Sequence, residues 1–275
     1  MVGQIIKIVK DQHVVSYENN EYVCKCRGKI RNQKIVPLVG DYCEFDMEKG
    51  TIDSILSRKN EFQRPPVSNI DQAIIVTSMV EPNFSANLLD RFLVVMKLHN
   101  IEPVICITKE DIASLEIKES VYSDLKYYEM IGYKVISNQN IDNIRKILKG
   151  KTTVFTGQTG AGKSTLINKL NKELNLETGE ISKALGRGKH TTRVVSMFLV
   201  DGGKVLDTPG FSSLDFGSAT KEEIRDSFIE FSKFPCPFKD CFHIKEEECN
   251  VKKNVQNGNI LDSRYEDYIK FIEKR

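Results

Sequence analysis

Hydrophobic positions follow three regimes along the chain. Up to about residue 64 they come in short runs, Gly3 to Val9, Val14 to Tyr17, Glu21 to Ile30, Asp41 to Phe45 and Gly50 to Ile55, divided by Asn19-Asn20, Gly40 and Lys49-Gly50. Short strands at this spacing suit a small barrel of the OB type. The third run alternates, with Cys24, Cys26 and Ile30 on one face and Lys25, Arg27, Lys29 and Arg31 on the other. Such a row of cations serves either to follow a nucleic-acid phosphate backbone or to keep a solvated edge strand from aggregating.

After Arg64-Pro65-Pro66, read as a linker, buried strands alternate with helical periods. Ala73 to Val76 is a strand, and Leu88, Leu89, Phe92, Val95 and Met96 line a helix that Ser85 caps. Pro103 to Ile107 is the next strand, 121 to 131 a helix, Tyr133 to Ile136 a strand and Thr152 to Phe155 another. Alternation of this kind predicts a parallel sheet with helices on both faces and ligands at the carboxyl ends of its strands. Beyond residue 216 the pattern is helical: Thr220-Lys221-Glu222-Glu223 is a capping box, and Tyr265, Tyr268, Ile269 and Ile272 repeat at helical spacing. The expected division is 1–64, 65–216 and 217–275.

The strand ending at Phe155 leads into a G-x-x-x-x-G-K-[ST] loop, Gly157, Gln158, Thr159, Gly160, Ala161, Gly162, Lys163, Ser164 and Thr165. Glycines let consecutive N–H groups point at phosphates, Lys163 brings a cation to the β/γ oxygens, and Ser164 offers a hydroxyl to Mg²⁺. Thr108-Lys109-Glu110-Asp111 fits [NT]-K-x-D at a strand end. The Asp111 carboxylate can accept from guanine N1–H and its exocyclic amine, a donor pair adenine lacks. Thr108 stands where asparagine is commoner, which is expected to remove a tie between this loop and the phosphate loop.

Asp207-Thr208-Pro209-Gly210 fits D-x-x-G, with Asp207 assisting Mg²⁺ and the Gly210 amide reaching a γ-phosphate. Thr191 or Thr192, in the polar loop Leu185 to Thr192, would supply a further hydroxyl to the magnesium. Ras-like proteins follow D-x-x-G with glutamine; here Phe211 stands there, so His190 is the nearest candidate to hold the attacking water, a structural role for it remaining open. The base motif precedes the phosphate loop, whereas ordinary small GTPases place it last. The order implies a circular permutation.

Cys236, Cys241, His243 and Cys249 crowd three thiolates and an imidazole together, a donor set for tetrahedral structural Zn²⁺ with no position left for a catalytic water.

Taken together, these motifs resemble the circularly permuted ribosome-assembly GTPases of the RsgA (YjeQ/YloQ) type, over essentially the whole chain. The resemblance implies an OB domain, a GTPase domain and a zinc-bearing helical C-terminal domain. It further implies a GTPase that binds the 30S subunit and its rRNA and hydrolyses GTP during late maturation. On the residues alone, a GTP-gated scaffold meeting only proteins stays open, as does an ATP-dependent enzyme in which Asp111 is idle.

Composition narrows this picture little. A net charge of +2 over 275 residues excludes a generally polycationic nucleic-acid binder, so RNA contact needs a local patch. Cys24, Cys26, Cys43 and Cys106 lie in apolar runs and read as core residues of a reducing compartment. No apolar run is long enough for a membrane helix and Met1-Val2-Gly3-Gln4 opens no signal peptide, so a cytoplasmic monomer without membrane contact is expected.

Overall fold

Alternating apolar and polar positions near the N-terminus close a barrel. The structure, a computed structural model, describes residues 1–18, 20–28, 30, 35–63, 66–170, 195–207 and 214–273. Strands β1 (Val2–Val9), β2 (Gln12–Tyr17), β3 (Asn20–Cys26), β4 (Tyr42–Asp46) and β5 (Thr51–Ile55) pair in the order β1-β2-β3-β5-β4, and β4 returns to β1. Ile5, Val15, Cys24, Cys43, Phe45 and Ile52 fill the interior, with Tyr17 and Tyr22 against the Phe45 ring. Burial pushes the Cys43 thiol up to about 12, in keeping with an inert core cysteine.

The third strand is shorter than its alternation predicts. It ends at Cys26; the chain then turns, with Ile30 N–H donating to Arg27 O at 3.0 Å, and Ile30 drops into the core at 1% exposure. Burial of Ile30 turns the chain out of the strand after Cys26, so of the two described cations in the expected row only Lys25 lies within β3. Lys25 and Arg27 are exposed and pair with Asp11 (3.8 Å) and Asp53 (2.9 Å), while Lys29 and Arg31 lie outside the described residues.

Pro66, expected in a linker, opens β7 (Pro66–Ser68), which pairs antiparallel with β6 (Glu61–Gln63). A buried carboxylate fixes this ribbon. Asp41 accepts from Arg58 Nε (2.7 Å) and Nη2 (2.8 Å), from Ser68 Oγ (2.6 Å) and from the Leu38 N–H (2.8 Å).

Residues 72 onward build the predicted alternation: β8 (Gln72–Ser78), α1 (Ala86–Leu98), β9 (Glu102–Thr108), α2 (Leu115–Ile131), β10 (Lys134–Ser137), α3 (Ile141–Leu148), β11 (Thr152–Gly157) and α4 (Lys163–Leu170). Ser85 caps α1 as expected, accepting from Leu88 N–H. Helix α2 begins at Leu115, earlier than its apolar period suggests, because Ser114 caps it and its first turns stay exposed. β12 (Ser196–Val200) and β13 (Gly203–Asp207) form a hairpin.

By contacts the chain forms two units: 1–74 with 138–156 and 163–213, and 75–137 with 157–162 and 214–275. In the first, β11 runs parallel to β13, and β12 continues antiparallel to β1 through Lys7↔Ser196. β1 therefore has two successive partners on one edge, β4 and then β12, within one continuous sheet. Val2–Gln4 pairs with β4 inside the barrel, the ladder with β2 shifts register between Ile5 and Lys7, and Lys7 then meets β12. A bulge of this kind bends a strand enough for its halves to join different neighbours. In the second unit β10 runs parallel to β9, with β8 next in order. Every residue of β8 is buried, so both its faces are covered, as in a parallel sheet.

The C-terminal part of the second unit contains α5 (Lys221–Asp226), a 3₁₀ turn (Ile229–Lys233), α6 (Asn250–Gln256) and α7 (Asp262–Glu273). The Thr220–Glu223 capping box is formed. Phe228, Phe231, Tyr268 and Phe271 stack into a core with Val94 of α1. Beside it lies Arg264, with none of its surface exposed. Its guanidinium donates to Asp90 (2.6 Å) and to both Glu230 oxygens (2.7 and 3.2 Å), and lies over Phe228 at 4.5 Å. Tyr128 Oη also donates to Asp90 at 2.6 Å. Burial raises the Asp90 carboxyl and the neighbouring guanidinium pulls it back. Replacing Arg264 by Ala strands two buried carboxylates, so urea unfolding is expected to show a loss of about 3–5 kcal/mol.

Candidate functional site

The phosphate loop follows from a buried strand that has to turn sharply. Gly157 has φ 132°, and a Cβ there would lie 2.0 Å from the Val76 carbonyl oxygen, so only glycine lets the loop leave β11 against β8. Gly160 and Gly162 also have positive φ, 82° and 96°. Between them Ala161 is buried and its N–H donates to Gln158 O at 3.2 Å. Thr159 and Gly160 are exposed and Gln158 half-buried. Lys163 opens α4, followed by half-buried Ser164 and exposed Thr165. Burial lowers the Lys163 ammonium to about 8. An anion beside it offsets that effect, which is the electrostatic condition for polyphosphate at a helix N-terminus.

The base loop begins where β9 ends. Thr108, 1% exposed, donates its hydroxyl to Ala161 O at 2.7 Å, so the expected loss of a tie to the phosphate loop is not found: the threonine hydroxyl makes one. Lys109 takes φ 59° and its ammonium donates to Glu81 O. Glu110 is buried, its carboxylate accepting from Tyr122 Oη and Ser137 Oγ. Asp111 is exposed and makes no hydrogen bond or ion pair among the described residues.

Asp207 ends β13, which runs parallel to β11; its backbone pairs with Ser196. Its side chain lies outside the described residues, as do His190, Thr191, Thr192 and Thr208 to Phe211.

The second constellation is the cysteine loop. His243 Nδ1 lies 3.4 Å from Cys236 Sγ, 3.2 Å from Cys241 Sγ and 3.3 Å from Cys249 Sγ, and the sulfurs of Cys236 and Cys249 are 3.8 Å apart. All four donor atoms fall within 4.8 Å of one another. A tetrahedral zinc with ordinary bond lengths needs sulfur–sulfur edges of about 3.8 Å and sulfur–nitrogen edges of roughly 3.6 Å, so the four donors are gathered at the scale of one ion, the sulfur–nitrogen edges slightly short of it. Cys249 caps α6, its Sγ accepting from Lys252 N–H at 3.4 Å, and a helix N-terminus favours thiolate. Burial pushes the Cys241 thiol up to about 12 and pulls the His243 imidazole down. The low histidine value suits a neutral ligand, and a bound cation supplies what deprotonates the thiols.

Sequence reasoning missed what holds this loop. Glu246 accepts from the N–H groups of Phe242 (2.8 Å) and Ile244 (2.9 Å), on either side of His243. Tyr265 and Tyr268 donate their hydroxyls to the carbonyls of His243 and Phe242. Only the acidic residue three positions beyond a ligand hinted at such a clasp.

A glycine-bent phosphate loop, a K-x-D base loop tied to it and a parallel sheet define a P-loop GTPase in which the base loop comes first in the chain. The sequence model of the RsgA GTPase matches residues 55–217 and that of the RsgA N-terminal domain residues 2–55, so the chain belongs to the RsgA GTPase family. The small ribosomal subunit biogenesis GTPase RsgA 2 of Oceanobacillus iheyensis is 48% identical over 282 residues, covering 99% of this chain and 96% of that one. Two solved structures are similar throughout. YloQ, a circularly permuted GTPase, has a TM-score of 0.83 at 37% identity, covering 99% of this chain and 94% of its own. YjeQ from Thermotoga maritima has a TM-score of 0.87 at 33% identity, covering 99% and 97%.

Metal analysis of the purified chain is expected to return one zinc per molecule. Cys241→Ser should lose it and loosen the C-terminal helices while GDP binding persists; a zinc-free native protein would contradict the geometry.

Proposed function

We propose that this GTPase acts in ribosome biogenesis, binding the 30S subunit and hydrolysing GTP during late maturation of that particle. The family, and relatives named as small ribosomal subunit biogenesis GTPases over nearly their full length, support the reading. The observation that carries it is the pairing of a complete phosphate and base loop with a closed barrel and a metal loop, two modules that nucleotide chemistry does not need.

In this reading the backbone of Gly157 to Gly162 and the Lys163 ammonium hold the phosphates, and Asp111 reads guanine. Ser164, Thr191 and Asp207 serve the Mg²⁺ that accompanies GTP and spreads the charge developing on the transferred phosphoryl group. The Gly210 amide meets the γ-phosphate and His190 orients water. Zinc at Cys236, Cys241, His243 and Cys249 is structural. The barrel meets rRNA: Lys25 and Arg27 are exposed, and surface ion pairs such as theirs are weak enough to exchange a carboxylate for a phosphate. The protein works as a cytoplasmic monomer, and no helix among the described residues is long and apolar enough to cross a membrane.

The primary experiment is sedimentation with purified 30S subunits in a GTP analogue and in GDP, with steady-state hydrolysis measured with and without subunits. Tighter binding with the analogue and faster hydrolysis on the subunit are expected; equal, negligible binding in both states would favour the protein-only scaffold. His190→Ala should bind GTP and subunit but lose the stimulation.

Base recognition is tested separately. Asp111→Asn is expected to lose GDP affinity on the order of a hundredfold, the cost of two charge-assisted hydrogen bonds, and to gain xanthosine diphosphate. Equal wild-type affinity for ADP and GDP would remove the assignment.

A further inference from the structure

We propose that Tyr122 and Ser137, acting through Glu110, are positioning residues that set guanine selectivity. The inference deepens the reading of the Asp111 loop as the base-recognition element and rests on it.

Successive side chains of the loop point in opposite senses. Thr108 and Glu110 go inward, 1% and 8% exposed, whereas Lys109 is half-buried and Asp111 exposed. The outward pair can be no better aimed than the inward pair is fixed. Thr108 is held by Ala161 O at 2.7 Å, and its own carbonyl accepts from Met79 N–H at 3.1 Å. Those contacts anchor only the start of the loop.

Glu110 anchors the end next to Asp111. One of its oxygens accepts from Tyr122 Oη on α2 and the other from Ser137 Oγ at the end of β10, so the carboxylate bridges the helix after the loop and the strand beside it. Two hydroxyl donors on the two oxygens of one buried carboxyl group are directional contacts that resist rotation of the residue. The Tyr122 hydroxyl is held protonated, its pKa pushed up to about 12 chiefly by the hydrogen bond to Glu110. A backbone already at φ 59° at Lys109 depends on its neighbours to keep that conformation. With both oxygens of Glu110 engaged, the Asp111 carboxylate is left as the outward acceptor of a loop pinned on either side of Lys109.

Selectivity is the property this arrangement should control. Asp111 makes two hydrogen bonds to guanine but one to hypoxanthine, which lacks the exocyclic amine. Misalignment therefore costs GDP more than IDP, whereas loosening of the phosphate loop or of the fold weakens both alike.

The test is titration of the full-length protein with fluorescently labelled GDP, IDP and ADP, for wild type, Tyr122→Phe, Ser137→Ala, Glu110→Ala and the Glu110→Ala/Tyr122→Phe double variant. Tyr122→Phe and Ser137→Ala are each expected to weaken GDP on the order of tenfold, the cost of one hydrogen bond to a charged group, and IDP distinctly less. The preference for GDP over IDP should collapse, and the double variant should be no worse than Glu110→Ala alone. A wild-type GDP/IDP ratio in both single variants, equal losses for the two nucleotides, or additive losses in the double variant would overturn the proposal. A wild-type protein with no preference for GDP over ADP would instead overturn the reading of the Asp111 loop on which it rests. Ser137→Ala keeps the test intact should Tyr122→Phe fold poorly.

Discussion

A guanidinium withdrawn from water cannot stay charged without partners, and that requirement organises the C-terminal third of the chain. Arg264 meets it with Asp90 from α1 and Glu230 from the 3₁₀ turn, over the face of Phe228. Apolar side chains of equal volume could pack the same space, but they would accept several rotations of α7. The planar fork meets two carboxylates in one orientation only. Next to Arg264 and one turn further along α7, Tyr265 and Tyr268 reach the carbonyls of His243 and Phe242, and the Phe231 ring lies 5.3 Å from the imidazole. The orientation that satisfies Arg264 is thus the one that shapes the metal loop.

The nucleotide end is held by different means. Its precision comes from backbone, a glycine pressed against the Val76 carbonyl and a threonine hydroxyl on the Ala161 carbonyl. Base loop and phosphate loop share that hydroxyl, so they form one mechanical piece rather than two neighbouring turns. Lys163, the next residue after Gly162, is half-buried, less comfortable as a cation than a lysine in water, and suited to an anionic occupant.

Much of this is legible in the sequence. The phosphate-loop and base-loop motifs, the cluster of three cysteines and a histidine and the caps at Ser85 and Thr220 are local patterns, in which the chemistry lies in the spacing. Contacts between distant positions left no such trace. Arg264 and Asp90 are 174 residues apart, and Thr108 and Ala161 53 apart, so neither bond alters a periodicity. The partners of Glu110, Tyr122 and Ser137, and those of Glu246, two backbone N–H groups flanking His243, leave no mark on the local pattern either. The misjudged end of β3 has a similar cause, since alternation continues through Arg27 and only burial of Ile30 shows that the chain has turned. The early start of α2 escaped because its first turns are exposed and carry no apolar period.

Strand β1 raises a matter of timing. Its pairing with β4 and β2 uses chain made early in synthesis, so the barrel can close while most of the protein is still missing. The half-edge beyond the bulge waits for Ser196. Throughout that interval it presents unpaired N–H and C=O groups to every other nascent chain. Lys7, exposed, lies on this stretch and Lys10, also exposed, follows its end, and a charged lysine at an open edge is a deterrent to intermolecular strand addition. Their value is then greatest before the native structure exists.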